Sequence, residues 1–269
     1  MDHSVDLGAD VQFDGASEII VNGNPGMRYA TGMDSSSREW MKRADICIHL
    51  GQDERAFFLR LSPEIRHALI HPAVPPATRC IGGSNIVIVA SNNSANYHCL
   101  LWFLENVAPL TPDVPISIFG DVDAAFRKLD RALHEANRNR LKGRVDDIAD
   151  VYAEAACVLP PTIEGHGLSI KAVEALSSGA PIIATSQAFR GIRIDPRALR
   201  NLTIADDPAD FAAAVREVDV RPQRLSARRA ESDTHRFHAA AFSSTQYANR
   251  LGALASGLIS REMRKVETK

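Results

Sequence analysis

No apolar run in the chain approaches the roughly 18–20 residues that a helix needs to cross a bilayer. The longest candidates are Ile86–Ala90 and Cys99–Leu104. An excess of positive charge is also missing. Lys and Arg number 31 against 33 Asp and Glu, for a net charge of −2, so a nucleic-acid binder working through bulk charge is excluded, although a local basic patch is not. The four cysteines (Cys47, Cys80, Cys99, Cys157) contain no C-x-x-C pair, and their ordinary reading is buried free thiols in a reducing compartment. The opening residues, Met1 to Asp6, are acidic and polar, the reverse of a secretory leader. These features predict a soluble, cytoplasmic protein.

What is present is length and a regular pattern. At 269 residues the chain makes one large domain or two modest ones and can bury a core without disulfide or metal staples. Residues 1–38 read as an irregular segment, with turn chemistry in Val21–Gly26 and Ser35–Ser37, and with Ser37 placed to cap a short helix through Trp40. A strand over Ala44–Leu50, a helix over Asp53–Leu61 and a strand over Ala68–Pro72 follow. Pro72, Pro75 and Pro76 then read as a linker, which divides a 39–80 segment from an 81–269 unit. Beyond it, strands at 86–90, 116–120, 141–145, 157–160, 181–185 and 202–204 alternate with helices at about 95–107, 123–136, 147–154 and 168–178. Short apolar strands separated by helices specify an α/β fold, a doubly wound parallel sheet covered on both faces. From Pro208 the pattern is helical, with Phe211, Val215 and Val218 on one face. The charges of Arg221–Arg236 and the basic end at Arg261, Arg264 and Lys265 read as solvated helix surface.

In a doubly wound sheet, ligands bind beyond the carboxyl ends of the strands. The segment after the 157–160 strand, Thr162 to Ala175, carries Gly165-His166-Gly167-Leu168 directly before a helix. Glycines admit a ligand close to the backbone, and the free N–H groups of a helix start favour an anion. Lys171 falls in the first helical turn and Glu174 three residues on, so an ammonium and a carboxylate project from one side. In outline this suits a nucleotide diphosphate, with the phosphate at Lys171 and ribose hydroxyls at Glu174. Read locally, G-x-G is equally a tight turn, and Lys171 and Glu174 an ordinary surface pair. His166 reads equally as a donor to a phosphate or sugar hydroxyl and as an exposed loop residue. His98-Cys99 resembles a metal pair only superficially, because adjacent helical residues diverge by about 100°. Asp146-Asp147 read as a helix cap.

Order and spacing over about a hundred residues add to this. Ile86–Ala90, Asn96, Ile116–Gly120, Gly143-Arg144-Val145, Ala153–Pro160, Gly165/Gly167, Lys171, Glu174-Ala175, Gly179 and Pro181–Thr185 together resemble the C-terminal, donor-binding domain of GT-B fold glycosyltransferases of the family 4 or group 1 type. Ala44–Leu50, a helix with Glu54, and His71-Pro72-Ala73-Val74 resemble the end of that family's N-terminal domain, as a partial α/β segment. The resemblance implies transfer of a sugar, with retention, from a nucleotide diphosphate sugar to a hydroxyl acceptor. No metal and no further cofactor is implied, and the leaving β-phosphate assists the incoming hydroxyl. Lys171 and Glu164 are the catalytic candidates. Gly165, His166, Gly167, Leu168, Glu174, Asn96 and Arg144 are the donor-binding candidates, with Arg144–Asp147 as a loop near the base.

Two departures stand out. Glu164 and Glu174 are ten apart rather than in an E-x7-E pattern, and Ser91–Asn96 stands where many relatives have a Gly-rich loop with Arg and Lys. Lys171 is therefore the main expected cation, with Arg144 or Arg190 as helpers. A self-sufficient transferase is the first reading. The alternative is a donor-binding or interaction module without its own turnover, its cleft completed by a partner chain or a second copy. A sugar-nucleotide epimerase of the same fold is a third.

Overall fold

The central strands form because they can be dry on both sides. In a computed structural model of the chain, describing residues 18–20, 28–30, 41, 43–76, 82–165, 167–220 and 232–267, Ile86, Val87 and Ile88 are each no more than 1% exposed. Ile86 and Ile88 feed one core, with Phe103, Phe126 and Phe211. Val87 feeds the other, with Leu176 and Phe242. Alternate residues of one strand thus serve opposite faces, as a strand between two helical layers must.

From the N-terminus, β1 (Glu18–Ile20) and β2 (Arg28–Ala30) pair antiparallel, which corrects the reading of residues 1–38 as wholly irregular. The turn segments and the Ser37 cap read there lie outside the described residues, as does the linker's Cys80. Next, β3 (Cys47–His49), α1 (Gln52–Leu61) and β4 (His67–Leu69) form a parallel strand–helix–strand unit. Both strands are shorter than expected, and among the described residues each pairs only with the other.

The main sheet holds β5 (Asn85–Val89), β6 (Ile116–Phe119), β7 (Leu141–Gly143), β8 (Ala155–Val158), β9 (Ile182–Ala184) and β10 (Leu202–Ile204), all parallel, in the order β10-β9-β8-β5-β6-β7. This is the doubly wound order with its reversal between β5 and β8. Strand β8 begins two residues earlier than expected, since Ala155 is in register with Asn85 and Pro160 lacks an N–H to donate.

The covering helices are α2 (Ser94–Asn106), α3 (Val122–Leu129), α4 (Arg131–Ala136), α5 (Ile148–Ala153), α6 (Ile170–Ser178), α7 (Pro208–Arg216), α8 (Asp233–Phe242) and α9 (Ser244–Glu267). The single helix expected over 123–136 is two. Asp130 leaves the helical region (φ −143°, ψ 82°) and its carboxylate accepts from the Leu133 N–H at 2.9 Å, so its side chain caps a new helix instead of continuing the old one. Asp147 caps α5 as expected, accepting from the Ala149 N–H at 2.8 Å. No helix among the described residues is long and apolar enough to cross a membrane.

The proline-rich stretch is strapped to the C-terminal helices. The Val74 N–H donates to the Phe242 carbonyl at 2.9 Å, and the Val74 carbonyl accepts from His238 Nε2, also at 2.9 Å. His238 is buried, and its Nδ1 has no hydrogen-bond partner, so burial pushes its pKa down to about 4. An unfolded His238 takes up its proton near pH 6.5, whereas the folded one resists to about 4, so the stability it confers is complete above 6.5 and is lost as pH falls toward 4. Burial lowers His71 as well, adding to the same slope. Urea midpoints will therefore fall between pH 7 and pH 4.5, and His238→Gln, which keeps a donor toward Val74, will flatten part of that fall.

Candidate functional site

The strand order diverges between β5 and β8, and the loops leaving their carboxyl ends meet there. The loop after β5 is Ser91–Asn93, where Asn93 caps α2 by accepting from the Asn96 N–H at 2.8 Å. Asn96, buried in the first turn of α2, donates its amide N–H groups to the Ser91 carbonyl (2.9 Å) and the Ser91 hydroxyl (2.8 Å). Those two bonds fix the amide, so its oxygen accepts from the Lys171 ammonium. Asn96 and Lys171 come from the two sides of the switch point and meet directly.

Lys171 belongs to α6, which starts at Ile170 rather than Leu168 because Ser169 caps it, accepting from the Ala172 N–H at 3.4 Å. Lys171 is half-buried. Burial pushes its pKa down to about 8, with the Arg190 charge contributing in the same direction and Cys99 and Glu174 opposing. Glu174, one turn on, does not take Lys171 as its hydrogen-bond partner; its Oε2 accepts from the Tyr152 hydroxyl at 3.0 Å. Burial raises the Glu174 carboxyl, against the Tyr152 hydrogen bond and the Lys171 charge. Tyr152 is raised well above its usual value by burial and by Glu174. The cavity beneath Lys171, lined by Ala90, Asn96, Cys99, Tyr152 and Thr162, is about 20 Å³. That is enough for a water and not for a sugar, so a larger ligand meets these groups from the outer side.

The glycines stand on that side. Gly165 (φ 129°) and Gly167 (φ 59°) both occupy the left-handed half of the backbone map. A Cβ on Gly165 would lie 2.8 Å from Arg190 Nη2, so the guanidinium rests against the bare backbone of the loop. Leu168 packs at the edge of the core that holds Leu176. His166 lies outside the described residues.

Glu164 is turned elsewhere. Its Oε1 stands 2.7 Å from His98 Nδ1, at the surface, while Cys99 Sγ, buried below, accepts from the Ile163 N–H at 3.3 Å. His98 and Cys99 thus pin the loop, and no group of three or more metal-ligating side chains occurs among the described residues. Arg144 is exposed at the end of edge strand β7 and takes no part in the Lys171–Asn96 network. Beside it lies a cavity of about 320 Å³ between Val87, Phe119 and Val145, rimmed by Asp146, Asp147, Asp150 and Glu154, carboxylates that repel a phosphate. Of the residues singled out from sequence, the fold gathers Asn96, Gly165, Gly167, Lys171 and Glu174, with Glu164 on the rim, and leaves Arg144 apart. Tyr152 had no sequence signal; Arg190 had only its positive charge.

Against known proteins, the sequence profile described as "Glycosyl transferases group 1" matches residues 83–218, just over half the chain. The chain belongs to this family. No curated protein is detectably similar to it in sequence. Among solved structures it is similar to S. aureus TarM, in a complex with UDP and alpha-GlcNAc-glycerol (TM-score 0.60, 16% identity, 81% of this chain and 46% of that one). It also resembles the pneumococcal O-GlcNAc transferase GtfA with UDP and GlcNAc (0.57, 14%, 90% and 51%) and Anabaena HepE with UDP-glucose (0.60, 15%, 82% and 66%). The common fold is the Rossmann-like one of the GT-B glycosyltransferases. The chain spans about half the length of TarM and GtfA.

Tyr152→Phe will leave the half-buried Glu174 carboxyl without this donor and cost about 1–3 kcal/mol. Chemical denaturation checks this, with Glu174→Gln, which keeps an acceptor for Tyr152, expected to lose less.

Proposed function

We propose that this chain binds a nucleotide diphosphate sugar over the Gly165–Gly167 turn and serves retaining transfer of the sugar to a hydroxyl acceptor. The observation that carries this reading is the pair of cations, Lys171 and Arg190, beside two left-handed glycines at the start of α6, where the strand order reverses. Two positive groups near the start of a helix favour a doubly charged anion. The UDP in the TarM and GtfA structures and the UDP-glucose in that of HepE make a uridine diphosphate sugar the first donor to try.

In this reading Lys171, Arg190 and the helix start neutralise the departing diphosphate as the anomeric C–O bond breaks. The leaving phosphate oxygen takes the acceptor's proton while the new C–O bond forms on the same face. Glu174 receives ribose hydroxyls, Glu164 on the rim is the carboxylate for the donor sugar once it leaves His98, and the loop from Arg144 to Asp147 lies near the base. Residues 81–269 form the donor-binding unit, working in the cytoplasm without a metal, and the acceptor side is completed by residues 39–80, a second copy or a partner chain.

Titration calorimetry with UDP, GDP, ADP and their sugars tests the donor site. Lys171→Ala will weaken diphosphate binding about 10- to 100-fold, the worth of hydrogen bonds to a charged group, and Glu174→Ala will weaken nucleotides more than pyrophosphate. The sign of the pH dependence follows from Lys171. Its ammonium is charged below about pH 8 and neutral above it, so affinity will hold from pH 6.5 to 7.5 and decline through 8 to 9.5. A folded native chain that binds none of these compounds would overturn the reading.

A further inference from the structure

We infer that the first turn of α1, in the strand–helix–strand unit before the proline-rich stretch, positions Arg190 for the donor diphosphate through Gly191, with Asp53 as the positioning residue. This goes beyond the proposed donor site and rests on it. Arg190 sits at the tip of a tight turn. Its φ and ψ are −54° and 142°, Gly191 has φ 74°, and the Ile192 N–H donates to the Phe189 carbonyl at 3.0 Å, which is type II geometry. Phe189 and Ile192 on either side are buried, so the turn's base is anchored in the core while Arg190 reaches outward to Gly165.

What holds the tip is α1. The Gly191 N–H donates to Asp53 Oδ2 at 2.9 Å, and the Gly191 carbonyl accepts from the Gln52 N–H at 2.8 Å. Both polar groups of one peptide-bearing residue are therefore bound by consecutive residues of one helix start. The two backbones are also near neighbours: a Cβ on Gly191 would lie 3.4 Å from the Gly51 Cα, and one on Gly51 would lie 3.5 Å from the Gly191 Cα, ordinary van der Waals contact. Gly191 is the residue after Arg190, so a shift of α1 re-aims the guanidinium directly. Arg190 is also held by its own bond from Nη1 to the Gln187 carbonyl at 3.3 Å, which restrains the side chain but not the turn's tilt. Asp53 and Gln52 lie outside the family-matched stretch of 83–218, so the donor site draws on a part of the chain that stretch does not contain.

The test is calorimetry of the full chain with UDP and with inorganic pyrophosphate, accompanied by melting curves. Asp53→Ala will weaken both about 5- to 20-fold, the scale of losing one well-placed charge-assisted contact. Asp53→Asn, which still presents an acceptor to the Gly191 N–H, will stay within about twofold of native, showing that geometry rather than charge is at work. In an Arg190→Ala background the Asp53→Ala change will add nothing, because the group it positions is gone. Gln52→Pro is the second variant. Proline is tolerated at the first helical position and removes only the N–H given to Gly191; it will weaken binding in the same direction even if Asp53→Ala does not fold. Native-like binding by folded Asp53→Ala, or an equal loss with and without Arg190, would overturn the inference while leaving the donor site standing. Undiminished binding by Lys171→Ala would instead overturn the donor site itself, and no UDP or pyrophosphate binding by the native chain would overturn both.

Discussion

Six parallel strands must be covered on both faces, and nearly everything else in this chain follows from meeting that constraint. Parallel strands need a crossover for each new strand, and right-handed crossovers send helices to one face on one side of β5 and to the other face on the other. Between β5 and β8 the two sets of crossovers part, which opens a crevice at the carboxyl ends. The gap is a geometric by-product of covering the sheet, and the polar residues have been placed in it. Asn96 comes from the first turn of α2 on one side and Lys171 from the first turn of α6 on the other. The dry cores on either face then explain why Lys171 is hard to keep charged and Tyr152 hard to ionise.

The sheet was legible in the sequence because its signal is local. The run Ile86–Val89 is apolar at every position, a pattern only a strand buried on both sides needs, and the glycines and Ser169 mark the loop that opens α6. Boundaries were less legible where a polar side chain could either continue a helix or cap one. Asp130 reads as a tolerable helical residue and acts as a cap. The strand at β8 starts on two alanines, whose small size carries little pattern, and so was placed two residues late.

The site was legible in part for the same reason. Gly165, Gly167, Lys171 and Glu174 lie within ten residues of one another, so spacing alone relates them, and family resemblance added Asn96 from a distant helix. Spacing could not show that Glu174 would turn to Tyr152, or that Glu164 would pair with His98. Those choices are made by burial and by which helix happens to lie alongside. Arg144 illustrates the opposite case: it has the charge a phosphate wants, but it ends an edge strand beside a group of carboxylates.

The meeting of Gly51 and Gly191 bears on how the sequence can vary. A methyl group added at either position would rest in van der Waals contact with the Cα of the other, so the two sites border one another although they are far apart in the chain. The constraint is unequal: Gly191 holds a left-handed backbone (φ 74°) that disfavours a side chain whatever the space, whereas Gly51 has room for a methyl group. Sliding of the strand–helix–strand unit over the sheet is resisted here by the bonds of Gly191 to Gln52 and Asp53. The Val74 contacts with His238 and Phe242 oppose that movement from the far end.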